Sequence, residues 1–203
     1  KLNLAKGAKW MTRAADNGFP RAIHRLSVLY RNGWGVPEDA MKSYEFCLRA
    51  AELEDPVAQC EMGLYYADGE IVEQNYVEAV KWFRLSALQG DMDAQFYLGY
   101  VYLEGDGVEQ DYTEAVKWFN YAALQGNLVA QAYLGMCYYE GLGVEQDYEK
   151  AIQYFNSSAQ EDDLAQLYLG LCYANGYGVE VDYTKAVELF EQAASQDNDR
   201  AYY

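Results

Sequence analysis

The sequence predicts an all-α fold, an α–α superhelical solenoid of about five repeats with half-repeats at both ends. Three observations carry this. A small residue recurs at Ala22, Ala58, Ala94, Ala130, Ala165 and Ala201, in steps of 36, 36, 36, 35 and 36 residues. Each step holds two apolar patterns with helical spacing, and no strand pattern is present. Loop glycines, paired in every full repeat but the second, and capping residues punctuate the steps at the same places. A period in this range indicates stacked supersecondary units, each too small to bury its own apolar face.

Counted on the aligned alanine, the chain is read as a single repeat domain. It contains a half-repeat (1–18), five repeats (19–54, 55–90, 91–126, 127–161 and 162–197) and the start of a further one (198–203). In the half-repeat, Trp10 and Ala15 match Trp82 and Ala87. The first helix of repeat three places Ala94, Leu98, Gly99 and Tyr102 on one face, and the same places recur as Ala130, Leu134, Gly135 and Tyr138. Glycine inside a helix costs about 1 kcal/mol relative to alanine. Its return at 63, 99, 135 and 170 therefore predicts close approach of a neighbour that a Cβ would obstruct; repeat one has Ser27 there.

The loop that follows carries Gly33/Gly35, Gly105/Gly107, Gly141/Gly143 and Gly176/Gly178, while repeat two has Gly69 but Ile71. The first glycine of each pair suits a left-handed helix C-cap. Asn75, Asp111, Asp147 and Asp182 then stand as N-caps. Glu78 and Glu114, three residues on, predict a capping box that Lys150 and Lys185 replace in later repeats. The second helix carries Tyr112, Ala115, Trp118, Phe119, Ala122 and Ala123 on one face.

These residues resemble the Sel-one-like repeat, a relative of the tetratricopeptide repeat, in the stretch AQFYLGYVYLEGDGVEQDYTEAVKWFNYAA (94–123). The tetratricopeptide repeat itself has about 34 residues. The 16 positions from Gly99 to Ala115 favour the longer-loop family. Repeat one departs most, with Ala40 for the tyrosine, Ser43 for the alanine and Trp34 inside the loop. The resemblance implies a scaffold or adaptor that gathers other proteins, with no catalytic residue in the repeat. It also implies that first helices line the inner, concave face.

Charge is uneven. Residues 1–50 carry a net +5, residues 51–203 a net −22, and the whole chain −17. Such a field repels nucleic acid and anionic membranes and steers basic proteins toward it; keeping a repeat array soluble is an equal explanation. No apolar run approaches the roughly 20 residues of a membrane span. No targeting segment opens the given chain, whose start at Lys1 fits a mature or excised fragment, so it is read as soluble and its compartment is left open.

Cys47, Cys60, Cys137 and Cys172 have no zinc-site spacing. Cys137 and Cys172 are expected too far apart to bridge; Cys47 and Cys60 flank a turn, with buried thiols the favoured reading. His24, the one histidine, is read as a surface-helix residue with no acid or nucleophile beside it. No phosphate loop, nucleophile motif or EF-hand is found. The expectation is a non-enzyme with no catalytic, metal or cofactor residue.

The partner-binding candidates are three, six and ten places after the aligned alanine. They are Glu61, Leu64 and Asp68; Tyr97, Tyr100 and Glu104; Tyr133, Met136 and Glu140; Tyr168, Leu171 and Asn175. Tyr97, Tyr133 and Tyr168 would form a ladder with rungs about 8–10 Å apart. That ladder is either the floor of an acid-margined groove or packing between successive first helices. The function expected is a non-catalytic scaffold whose concave face binds a protein or peptide with a basic or aromatic-anchored segment. Alternatives are an immunity or inhibitor protein for a basic toxin or enzyme, a spacer in a larger repeat protein, and, by resemblance alone, a hydrolase-like or β-lactam-binding member. Self-association end to end is a further option for partners.

Overall fold

In the computed structural model, residues 3–200 are described; Ala201, Tyr202 and Tyr203 of the further repeat's opening lie outside them. Eleven helices and no strand are found among the described residues. They are α1 Leu4–Asp16, α2 Pro20–Asn32, α3 Ala40–Glu52, α4 Pro56–Asp68, α5 Tyr76–Leu88, α6 Met92–Glu104, α7 Tyr112–Leu124, α8 Leu128–Glu140, α9 Tyr148–Ser158, α10 Asp163–Asn175 and α11 Tyr183–Arg200. Even-numbered helices open the repeats and odd-numbered ones close them. Helix α9 has 11 residues where its counterparts α3, α5 and α7 have 13, and this is the repeat whose step is 35.

The chain divides into two units. One runs to Leu98 and includes Asp106–Val108; the other holds Gly99–Gly105 and continues from Glu109. The core of the first gathers Ile23 and Leu26 of α2, Cys47, Ala50 and Ala51 of α3, and Ala58 and Met62 of α4. The core of the second gathers Ala151, Ile152 and Phe155 of α9 with Ala165, Leu169 and Cys172 of α10.

The helical glycines are sockets for phenylalanine. A Cβ on Gly63 would overlap the Phe83 ring, one on Gly99 the Phe119 ring, one on Gly135 the Phe155 ring, and one on Gly170 the Phe190 ring. The other face of the ring meets the next repeat. Tyr97 stacks on Phe83 at 5.2 Å, Tyr133 on Phe119 at 5.3 Å and Tyr168 on Phe155 at 5.6 Å. Phe83, Phe119 and Phe155 are buried completely or nearly so. One ring thus joins the two helices of its own repeat and the first helix of the following one.

Loop chemistry accounts for the polar part of the pattern. The first loop glycine takes positive φ, 74° at Gly69 and 76° at Gly141, and ends the helix. Gln74, Gln110 and Gln146 then donate from Nε2 to the carbonyls of Ala67, Leu103 and Tyr139, satisfying helix ends that have no internal partner. The side chains of Asn75, Asp111 and Asp147 accept from N–H groups of the second helix. This cap is worth about 1 kcal/mol each. The expected capping box does not close. The N–H of Asn75 donates to Tyr66 O at 2.8 Å and that of Asp111 to Tyr102 O at 2.9 Å. With its target already taken, Glu78 pairs with Lys81 and Glu114 with Lys117.

All four cysteines are free and buried. Burial pushes every thiol's pKa up, to about 12 at Cys137 and about 11 at Cys172.

Candidate functional site

In the second unit, α6, α8 and α10 present the sequence-derived candidates. Tyr133 is half-buried on Phe119, and Tyr100 meets it edge-on at 5.8 Å. Burial, then the neighbouring Tyr100 and the carboxylates Asp162, Glu104 and Asp163, raise the Tyr133 phenol to about 12, so it stays a neutral hydroxyl. Tyr168 lies on Phe155 and meets Tyr139 edge-on at 5.1 Å. Its phenol is also raised, by burial first and then by hydrogen-bonded Glu140. Met136 and Leu171 are half-buried, while Glu104, Glu140 and Asn175 are exposed. The Asn175 amide turns back to donate to Leu171 O at 2.9 Å.

Tyr133 and Tyr168 therefore rest on the second helix of the preceding repeat and also meet a tyrosine of the preceding first helix. The ring below fixes each tyrosine's position, and the partner ring comes from a helix that a wheel drawn for one helix alone does not include.

In the first unit, Tyr97 packs on Phe83 and beside Phe96. Glu61, Leu64 and Asp68 line a cavity of about 360 Å³ together with Arg31, Tyr65 and others from the first two repeats. Glu61 is only 18% exposed and is already engaged. Its Oε2 accepts from Arg31 Nη2 at 2.7 Å, and Arg31 also donates to the Tyr65 hydroxyl at 3.2 Å. His24 Nε2 lies 3.2 Å from Glu61 Oε1. Burial alone would raise the Glu61 pKa; the His24 and Arg31 contacts outweigh it and hold it at about 2.

One sequence expectation is corrected here, that of His24, while the candidate Glu61 is found paired within the chain. Glu61 is an internal counter-ion. His24 is buried, 7% exposed, with an acid beside it. The expectation failed because Glu61 is 37 positions away in sequence and one repeat away in space. The available signal was that Arg31 and Glu61 stand at places where repeats four and five carry Tyr139 and Tyr168.

The cluster also contains Cys47, whose Sγ lies 3.5 Å from both Glu61 Oε2 and Ala58 O. Its geometry does not make a nucleophile. The thiol is fully buried, burial and then the Glu61 charge push its pKa up, and the imidazole contacts the carboxylate. A catalytic thiol needs the reverse, a base at hydrogen-bond distance and a stabilised thiolate. Among the described residues no helix is long and apolar enough to cross a membrane, and no three metal-binding side chains converge.

The Sel1 repeat family model matches six segments, residues 1–19, 20–55, 56–91, 93–127, 128–163 and 164–198. No curated protein matches significantly. Among solved structures, c5321, a protective antigen of uropathogenic Escherichia coli with an SLR fold, is 41% identical with a TM-score of 0.84. The match covers 95% of this chain and 42% of that one, so the chain spans less than half of that relative. A Sel1 repeat protein from Oxalobacter formigenes is 34% identical with a TM-score of 0.80, covering 95% of this chain and 82% of that one. The immunity protein Pa5087 of Pseudomonas aeruginosa shares the fold at 23% identity and a TM-score of 0.55, with coverage of 94% and 75%. With six matched segments, α-helical pairs throughout and two relatives above 30% identity, the chain belongs to the Sel1 repeat family.

Proposed function

We propose that this chain is a non-catalytic protein-binding module whose first-helix faces receive a basic or aromatic-anchored segment of a partner. Sel1 repeat proteins generally mediate protein–protein interactions and are generally not catalysts. The observation that carries the reading is that half-buried Tyr133 lies near exposed Glu104 and half-buried Tyr168 beside exposed Glu140. The rings are half-buried and held from below, so little side-chain freedom remains to be lost on binding. Neither carboxylate has an ion-pair partner among the described residues. Tyrosine supplies apolar area and a hydroxyl, a combination enriched at interfaces.

Neutralising a basic toxin or enzyme is a second reading, supported by the net charge of −17 and by the fold shared with Pa5087. Affinity capture at low and moderate salt, with wild type and Glu104→Lys/Glu140→Lys, tests the main proposal. Circular dichroism and size exclusion establish that both fold. A partner retained by wild type, weakened by salt and lost by the variant is expected. Identical retention by both proteins would refute the face. Tight 1:1 binding to a basic enzyme, with loss of that enzyme's activity, would select the second reading.

A further inference from the structure

One place in the repeat is filled with tyrosine in the second unit. Tyr148 and Tyr177 stack at 4.6 Å and 9°, and Tyr139 stands edge-on to Tyr148, Tyr168 and Tyr177 at 5.3, 5.1 and 5.9 Å. Counted from Ala130 and Ala165, these are places nine and eighteen of one repeat and three and twelve of the next. In repeats one and two the same four places hold Arg31, Ala40, Glu61 and Glu70. All four line the cavity of about 360 Å³.

A loop substitution keeps that cavity open. At Gly107 and Gly143, a Cβ would overlap the backbone at Tyr76–Val77 and Tyr112–Thr113, so these loops lie directly on the start of the preceding second helix. Ile71 carries the forbidden carbon at this place. Its loop cannot lie as close to the start of α3, where Ala40 has no ring to fill the space. The volume falls within the range of ligand pockets, about 300–1,000 Å³.

Apolar Ala40, Leu64 and Ile71 form part of the lining, and Glu38, Asp68 and Glu70 add carboxylates with no ion-pair partner among the described residues. Arg31 compensates only Glu61. Arg31 itself lies over the Tyr65 ring at 5.7 Å, so this surface already accommodates one guanidinium. We propose that the cavity takes an arginine side chain presented by a partner protein. A guanidinium is flat, as the tyrosine rings that fill the equivalent place are, and its fork of donors suits two carboxylates. The source of the arginine rests on the protein-binding reading above.

The test is an NMR titration of the chain at low salt with acetyl-Gly-Arg-Gly-amide and with its lysine and citrulline counterparts. Ala40→Tyr restores the filling residue of the other repeats, and Asp68→Asn/Glu70→Gln removes charge without filling space. The arginine peptide is expected to shift the amide resonances of Ala40, Ser43 and Ile71, with lysine weaker and citrulline silent. Each lost carboxylate should weaken binding about two- to fivefold. Ala40→Tyr should abolish the shifts while helical circular dichroism is retained; if that variant does not fold, the charge variant decides. Still resonances, an equal response to lysine or citrulline, or a wild-type response in Asp68→Asn/Glu70→Gln would overturn the proposal. A natural partner captured equally by wild type and Ala40→Tyr refutes the cavity alone, whereas capture by neither refutes the protein-binding reading.

Discussion

Replacing Gly135 by alanine sets two effects of opposite sign against each other. Gly135 sits inside α8, and alanine should stabilise a helix interior by about 1 kcal/mol over glycine. The new Cβ, however, would lie 2.6 Å from Phe155 Cδ1 and 3.0 Å from Cζ, well inside contact distance. Phe155 is fully buried and stacked on Tyr168, so its ring cannot retreat without disturbing the next repeat. Overpacking of this kind costs about 1–3 kcal/mol, and can cost more. With a near-total overlap against a confined ring, the upper part of that range applies, and a net loss of about 1–2 kcal/mol is expected after the helical gain. Urea denaturation followed by circular dichroism reads the change. Gly7→Ala is the control, because Gly7 is also helical and nothing lies within 4 Å of its missing Cβ; it should stabilise by up to about 1 kcal/mol. Phe155→Leu should relieve part of the Gly135→Ala penalty, giving a coupling of about 1 kcal/mol in a double-mutant cycle. A Gly135→Ala protein stabilised as much as Gly7→Ala would refute the socket argument.

Glu61→Gln leaves Arg31 without its counter-charge and is expected to cost about 1–2 kcal/mol, between exposed and buried pairs. The Glu61 pKa falls from 4.5 unfolded to about 2 folded, so its contribution is complete above about pH 5 and is lost as pH falls through that window. The wild-type advantage over Glu61→Gln in denaturant titrations should therefore shrink between pH 5 and pH 2; an advantage independent of pH would refute the ion-pair assignment. Glu54 holds φ of 63°, where Gly90 and Gly126 stand in later repeats, and Glu54→Gly should raise stability by about 0.5–1 kcal/mol in the same assay. The four buried thiols should resist a thiol reagent at pH 8 in the folded chain and all react in denaturant, whereas fast labelling of the folded chain would contradict their burial.

The fold was legible because its determinants recur. A single apolar pattern is ambiguous, but Ala94, Leu98 and Gly99 returning as Ala130, Leu134 and Gly135 fix both the helix and its buried side. Loop length was legible for the same reason. The contacts around the candidate residues were less so, because a helical wheel places a side chain on a face without naming its partner. Tyr133 was read as an outward position, and its support, Phe119, comes from the other helix of the preceding repeat. The capping box failed at Asn75 because Tyr66 O, nine residues upstream, competes for the same N–H. The sequence also assigned no task to Gln74, whose amide closes the end of α4. Repeats one and two were the least legible: Arg31, Ala40 and Ile71 each look like an isolated exception until the structure places them around one volume.

The phenylalanine relay bears on how a chain of this kind lengthens. Socket and ring recur at one spacing, Gly99 to Phe119 and Gly135 to Phe155, and a lid follows each, Tyr133 and then Tyr168. A tandem duplication of one whole step would therefore arrive with a matching surface at both junctions and would need no new complementarity to be selected. An insertion between socket and ring would throw those two out of phase, whereas the shorter step of repeat four, which changes the chain after the ring, still seats Tyr168 on Phe155. Copy number is thus free to drift in whole steps, while the distance from socket to ring is held by the width of one aromatic ring.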